Sequence, residues 1–140
     1  MDKEDRVREK IRTIELKTDK VRKNLPSEFT KFEEMDLEKD GLYKNVEIAI
    51  QSSYDICAII AREEGLEVPH SEESIPDLLR KEDILSKETC GNVKDMKGFR
   101  NALAHKYGEI KDKIAFENIN EGLKDFHKFI REIERYLDNK

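Results

Sequence analysis

The strongest constraint on the fold is an apolar stripe in the segment 115–138. Apolar residues recur there at steps of three, four and seven, which is the spacing of one face of an α-helix. They are Phe116, Ile119, Leu123, Phe126, Ile130, Ile133 and Leu137. The stripe predicts a long amphipathic helix, which needs other helices to cover its apolar face.

The same spacing predicts further helices, over 5–23, 37–64, 74–85 and 89–105, with a short helical turn at 27–32. Gly65 is a typical C-terminal stop for the second of these. Ser74 predicts an N-cap, followed by Pro76 in the first turn and Asp77 at the third position. No β-type alternation or internal repeat interrupts the pattern. We therefore expect one all-α domain over residues 1–140, an antiparallel bundle of four main helices plus a short extra helix.

The helix predicted over 37–64 has a wide apolar surface. Its apolar residues include Leu42, Val46, Ile48, Ala49, Ile50, Tyr54, Ile56, Cys57, Ile59 and Ile60. Such a surface fits two arrangements. One side faces a second copy of the chain in a homodimer, or the whole helix is buried at the centre of one bundle.

The charge distribution is uneven. Charged residues make up 42% of the chain and its formal net charge is −5, which argues against general binding to polyanions. The segment 94–113 is locally basic, with three acidic residues against Lys94, Lys97, Arg100, Lys106, Lys111 and Lys113. This balance predicts one focused basic face on an acidic protein.

Several common kinds of site are not indicated. Cys57 and Cys90 lack zinc-like spacing and are expected to be free thiols. The sequence has no glycine-rich phosphate loop, no metal-binding histidine pair and no serine nucleophile motif, so we expect no metal and no cofactor. His70 and His127 lie outside any conspicuous motif, so a structural or solvent-exposed role is expected for both. Since the N-terminal segment and the rest of the chain lack a long apolar run, a cytoplasmic protein is expected.

Residues 98–108 read GFRNALAHKYG and bring together the groups that RNA cleavage without a metal requires. Such cleavage needs proton transfer and a cation for the crowded phosphate. His105 is suited to proton transfer near neutral pH, and Arg100 to forked contact with two phosphate oxygens. Asn101 can hold either group, and Tyr107 can stack on a base.

Spacing alone leaves an ordinary structural role open for these residues. Asn101 and His105 share one helix face, whereas Arg100 lies about 140° from His105 on an ideal helix. Joint action of Arg100 and His105 would need the helix to bend or end near Ala104. Otherwise Arg100 and Asn101 are ordinary surface or capping residues of the helix. His105 is then favoured at the C-terminal end by the helix dipole.

The segment 98–108 resembles the signature of the HEPN superfamily, Arg-polar-x-x-x-His, in the version with a following x-Tyr that marks HepT toxins. The helical layout is also similar over nearly the whole chain. The resemblance implies a metal-independent endoribonuclease with Arg100, Asn101 and His105 as catalytic residues. It also implies a homodimer with two sites at a shared cleft, where Lys97 and Lys106 would contact RNA.

HepT toxins are paired with MntA, a minimal nucleotidyltransferase antitoxin that transfers AMP to the motif tyrosine. The resemblance therefore implies a type VII toxin-antitoxin pair in which Tyr107 is modified. Many HEPN nucleases also place a carboxylate from the preceding long helix near the motif. Asp55 is the preferred candidate here, and Glu47 is the alternative. If Asp55 is instead paired with a neighbouring basic side chain, its role is purely structural.

Two other functions stay open. One is a noncatalytic HEPN module that binds nucleotide or a nucleotidyltransferase partner. The other is a plain helical dimerisation domain, which would leave the basic segment 94–113 unexplained.

Overall fold

The computed structural model describes residues 2–67, 74–105 and 112–140, apart from the side chains at positions 104 and 105. Over these ranges the chain forms helices and no strand. The helices are α1 (Lys3–Asn24), α2 (Phe29–Glu33), α3 (Leu37–Glu63), α4 (Ile75–Lys81), α5 (Lys87–His105) and α6 (Asp112–Asp138). The four long helices confirm the predicted all-α class. Two short helices, α2 and α4, stand where one short helix and a turn were predicted.

Helix α3 lies at the centre and packs against α1, α4 and α5. Nearly all of its apolar side chains are buried within this one chain. The large apolar side chains that are exposed in the described ranges lie elsewhere or at the helix end, and are Leu16, Leu37 and Ile114. The wide apolar surface of α3 is therefore a core surface, so it no longer supports a homodimer. None of the described helices is both long enough and apolar enough to cross a membrane.

The ends of α3 and α4 differ in how well the sequence predicted them. Gly65 has a φ of 72°, and the amide of Leu66 donates to the Ala61 carbonyl at 2.9 Å, which is the closing geometry of a Schellman motif. The predicted stop at Gly65 is confirmed. Ser74 precedes α4 as predicted, but its side chain makes no capping hydrogen bond. The predicted N-cap position, the proline in the first turn and the acidic residue in that turn are confirmed, and only the capping hydrogen bond is absent.

Asp77 contacts α5 instead of the start of its own helix. Its carboxylate lies 3.2 Å from Lys94 Nζ and accepts from Cys90 Sγ at 3.2 Å. These contacts hold the pKa of Asp77 below its usual value. Burial raises the pKa of the Cys90 thiol to about 11 and also raises that of Cys57. Both cysteines are free and buried, so they are protonated thiols at neutral pH.

The start of α5 is held by a buried carboxylate from α6. Glu132 is 6% exposed and accepts hydrogen bonds from Ser86 N at 2.7 Å, Ser86 Oγ at 3.1 Å and Thr89 Oγ1 at 2.5 Å. Ser86 Oγ in turn accepts from Thr89 N at 3.1 Å. A capping box supplies its carboxylate from within the same helix, whereas here α6 supplies it. Glu132 therefore fixes α5 against α6.

We expect Glu132→Ala to lower the free energy of unfolding by about 2 kcal/mol, because it leaves the buried Thr89 hydroxyl and two part-buried donors of Ser86 without their acceptor. Glu132→Gln should lose less, since an amide can still accept from one donor and both hydroxyl groups can rotate to accept from it. Chemical denaturation followed by circular dichroism measures both variants.

The matched control is Glu117→Ala, on the same helix. Glu117 is exposed and, in the described part of the chain, makes no hydrogen bond or ion pair, so its loss should change stability by less than about 0.5 kcal/mol. An equally small effect of Glu132→Ala would show that the buried network does not stabilise the fold.

Candidate functional site

The predicted catalytic segment lies at the C-terminal end of α5. Arg100 and Asn101 are both half-buried, and Arg100 Nη1 donates to Asn101 Oδ1 at 3.4 Å. The helix continues through His105, so the backbone position of residue 105 follows Asn101 by about one turn. The helix predicted over 89–105 is confirmed over that range.

The contact between Arg100 and Asn101 affects how far apart the functional groups of Arg100 and His105 lie around the helix, where their positions are about 140° apart. A guanidinium that reaches the Asn101 amide extends around the helix toward the face where Asn101 stands. Position 105 belongs to that same face. The long side chain of Arg100 therefore reduces the separation that the backbone imposes. Asn101 accepts this hydrogen bond through Oδ1, so its Nδ2 group can still donate one.

Several predicted residues cannot be placed. Lys106, Tyr107 and His70 lie outside the described residues, as does the side chain of His105. The roles predicted for them stay predictions. His127, by contrast, is exposed on α6, in agreement with the solvent-exposed alternative expected for it.

The register of α3 against α5 decides which carboxylate lies near Arg100. Tyr54 Oη donates to the Val93 carbonyl at 3.5 Å. Earlier residues of α3, Val46 and Ile50, line one cavity together with later residues of α5, Met96 and Phe99. The two helices are therefore antiparallel. Arg100 lies about 10 Å beyond Val93 along α5, and moving the same distance back from Tyr54 on α3 leads to Glu47.

Glu47 and Asp55 thus occupy different surroundings. Asp55 accepts from Lys10 Nζ at 3.0 Å and from Gln51 Nε2 at 2.9 Å, which ties α3 to α1. It lies about 12 Å along α3 from Glu47. Glu47 stands one full heptad before Tyr54, hence on the face toward α5, and its side chain is 23% exposed. The contacts of Asp55 match its structural alternative. Glu47 is level with Arg100 along the helices, and its ion-pair partner is the exposed Lys44 of the same helix, at 3.4 Å.

The basic residues of the segment 94–113 do not form one face in the described ranges. Lys94 pairs with Asp77 of α4, and Lys113 Nζ lies 5.5 Å from the Phe29 ring centroid. Lys97 is only 6% exposed, with its Nζ 5.0 Å from the ring centroid of Tyr54. A buried ammonium over an aromatic ring suits a packing role. It does not match the exposed RNA contact predicted for Lys97.

Sequence reasoning missed the cluster that holds the start of α6. Lys39 Nζ lies 2.9 Å from Asp112 Oδ2 and 5.3 Å from the Phe32 ring centroid. Burial and the neighbouring Asp112 carboxylate raise the pKa of Tyr43 to about 12, so the phenol stays protonated at neutral pH. Lys39 and Tyr43 lie 73 and 69 positions from Asp112 in sequence, so no local pattern links them to it. They anchor the start of α6, the helix that follows the motif in the chain.

The model of one protein family, described as Ribonuclease HepT-like, matches residues 14–133. The chain belongs to this family. The match spans α2 to α5 completely, half of α1 and most of α6, so it covers the motif helix and both helices that position it. The resemblance noted in the sequence is thereby confirmed at the level of the family.

Two curated relatives and one solved structure agree with this assignment. A "Putative RNase" of Archaeoglobus fulgidus is 26% identical over 102 residues, 73% of this chain and 76% of the relative. The "mRNA nuclease HepT" of Shewanella oneidensis is 28% identical over 92 residues, 66% of this chain and 69% of the relative. A tri-AMPylated HEPN toxin of Shewanella oneidensis, solved in complex with an MNT antitoxin, superposes with a TM-score of 0.87 at 25% identity, over 96% of this chain and 99% of that one.

Proposed function

We propose that this HepT-like protein is a metal-independent endoribonuclease and the toxin of a type VII pair with a MntA-like nucleotidyltransferase antitoxin. The observation that carries the proposal is the family match across α5, combined with the Arg100–Asn101 contact on the helix that leads to His105. The similar nuclease and the similar toxin-antitoxin complex support the same function.

In the proposed reaction the ribose 2′-hydroxyl attacks the neighbouring phosphorus and the bond to the leaving 5′-oxygen breaks. Arg100 holds two phosphate oxygens and balances the charge that builds up on them. Asn101 orients the guanidinium through its side-chain oxygen. His105 transfers the proton, since imidazole changes charge near neutral pH. Lys106, next to His105 in sequence, is the proposed further RNA contact.

We also propose a homodimer with the two motif helices at a shared cleft. This step follows from the chemistry and the family, not from α3, whose apolar residues are buried. The reaction needs a base for the 2′-hydroxyl and an acid for the leaving oxygen at the same time. One imidazole has only one protonation state at any moment. Two copies of His105 at one cleft would supply both states.

The second candidate function is a noncatalytic module that binds nucleotide or a nucleotidyltransferase. It fits the similarity to a toxin held in an antitoxin complex. The two functions differ in one measurement, namely whether purified protein cuts total RNA in EDTA. The plain dimerisation domain is less well supported, because the family match gives the motif a context that it does not explain.

We expect His105→Ala to abolish cleavage of RNA in EDTA, and Arg100→Lys to lose most of it, at least about tenfold, because an ammonium cannot make the forked contact of a guanidinium. End mapping of the RNA products measures the rate and the cut sites. Both variants should keep the circular dichroism spectrum and the light-scattering mass of the parent. A folded His105→Ala variant with full activity would refute the site.

We expect Glu47→Gln to reduce cleavage about tenfold or more, whereas Asp55→Asn keeps activity within about twofold. Removing the carboxylate should also shift the pH profile of cleavage to lower pH, because a carboxylate beside an imidazole stabilises its protonated form. Asp55→Asn is the matched control, since it removes a carboxylate from the same helix and costs only an ion pair worth up to about 1 kcal/mol. The opposite pattern would return the role to Asp55.

We expect Tyr107→Phe to retain nuclease activity and to escape silencing by the antitoxin. In the proposed modification the phenolic oxygen bonds to the α-phosphorus of ATP and pyrophosphate leaves. The added phosphate would place a negative charge where RNA phosphate binds, and would engage Arg100. Intact-protein mass spectrometry after incubation with a MntA-like protein, ATP and Mg²⁺ should show added AMP on the parent and none on the variant. Equal labelling of both would identify a different acceptor.

A further inference from the structure

A cavity of about 290 Å³ lies beneath the N-terminal half of α6, and the reaction proposed above does not use it. Its floor consists of buried apolar side chains from three long helices and α6 itself, including Val46, Ile50, Met96, Ile119 and Phe126. A pocket of about 300 Å³ with apolar walls and a few polar groups is the usual form of a small-molecule site.

The charged groups that line this cavity all carry a negative charge. Asp95, Glu121 and Asp125 line it, with the amides of Asn92 and Asn118. No lysine, arginine or histidine is among the described side chains that line it. Asn92 Nδ2 donates to Asp125 Oδ1 at 3.2 Å, which fixes the direction of that carboxylate. The nearby Lys128 is paired with Glu88 at 2.6 Å.

The carboxylates repel one another in this arrangement. Asp125 is half-buried, and its burial together with the charges of Glu121, Glu88 and Asp95 raises its pKa. A cation at the mouth of the cavity would remove this repulsion, while an apolar body would fill the space over the floor.

The cavity exists partly because residue 122 is a glycine. A β-carbon at Gly122 would meet only Phe126 Cε2, at 4.0 Å, so a side chain there would extend into the cavity without a clash. Glycine is an unfavourable residue in the middle of a helix. At this position it leaves space open beside the acidic mouth.

We propose that this cavity is a binding site for a small organic cation with an apolar body, whose ammonium group lies at Asp95, Glu121 and Asp125. The site is separate from the catalytic segment, although Phe99 of its wall directly precedes Arg100. Its occupant is defined by this chemistry, an alkyl or arylalkyl ammonium that matches both the floor and the mouth.

The test uses phenethylammonium as the probe and its neutral analogue 2-phenylethanol as the matched control ligand. Isothermal titration calorimetry and ligand-observed NMR on the full chain should show binding of the cation, and about tenfold weaker binding of the alcohol. Asp125→Asn, which keeps the size of the side chain, should weaken the cation about fivefold or more and leave the alcohol unchanged.

Gly122→Leu should abolish binding of both probes because leucine occupies the cavity. Gly91→Leu is its control. Gly91 is a helical glycine of α5 with nothing within 4 Å of an added β-carbon, and this variant should bind as the parent does. Undetectable binding of the cation by the parent at about 10 mM, or equal affinity for the cation and the alcohol, would overturn the proposal. So would unchanged binding by the folded Gly122→Leu or Asp125→Asn variant.

Discussion

The position of the motif helix depends on the buried carboxylate of Glu132. A buried charge is unfavourable unless several donors converge on it, and here one amide and two hydroxyl groups do so. Since these bonds are directional, they fix both the rotation and the height of α5 against α6. Arg100 lies eleven residues after Thr89, about three turns along the same rigid helix. The contacts of Glu132 at the N-terminal end of α5 therefore determine the direction in which the Arg100 side chain projects from that helix.

A second contact, between Tyr54 and the middle of α5, fixes the register against α3. The Tyr54 hydroxyl donates to the backbone of Val93, and Lys97 lies over its ring. Because a shift of one turn would move α5 by about 5.4 Å, this register decides which carboxylate of α3 stands level with Arg100. The preference for Glu47 over Asp55 is thus a consequence of helix packing. Neither residue type nor local spacing distinguishes the two.

The sequence predicted the long helices well because helical periodicity is carried by residues close together in the chain. The stripe of α6 is an example: five of its seven members are buried, and Phe116 and Leu123 are half-buried. Predictions that depended on distant partners were less successful. Ser74 and Asp77 look like a local cap, yet Asp77 contacts Lys94, seventeen positions away. Lys97 looks like a surface cation, yet it is buried with its ammonium over the ring of Tyr54.

The same distinction applies to the candidate site. The identities of Arg100, Asn101 and His105 follow from the motif, but spacing alone also allowed a structural role for all three. The Arg100–Asn101 contact depends on the path of a long side chain, which helical geometry does not specify. The role of Glu132 was hidden as well, because a glutamate beside an apolar stripe normally faces solvent. Its partners Ser86 and Thr89 are more than forty residues away.

The charges along α5 give the proposed substrate a direction of approach. The first half of the helix carries Glu88 and Asp95, and the facing part of α6 adds Glu121 and Asp125. These carboxylates repel RNA phosphates at short range, since screening in salt acts over about 10 Å. The second half of α5 carries Arg100, followed in sequence by His105 and Lys106. Lys87 and Lys94 balance Glu88 and Asp95 within the first half of α5, so the acidic excess there comes from α6. On a chain with a net charge of −5, we therefore expect RNA to approach at the C-terminal end of this helix. The proposed cation site and the proposed catalytic segment therefore share one helix and would take ligands of opposite charge.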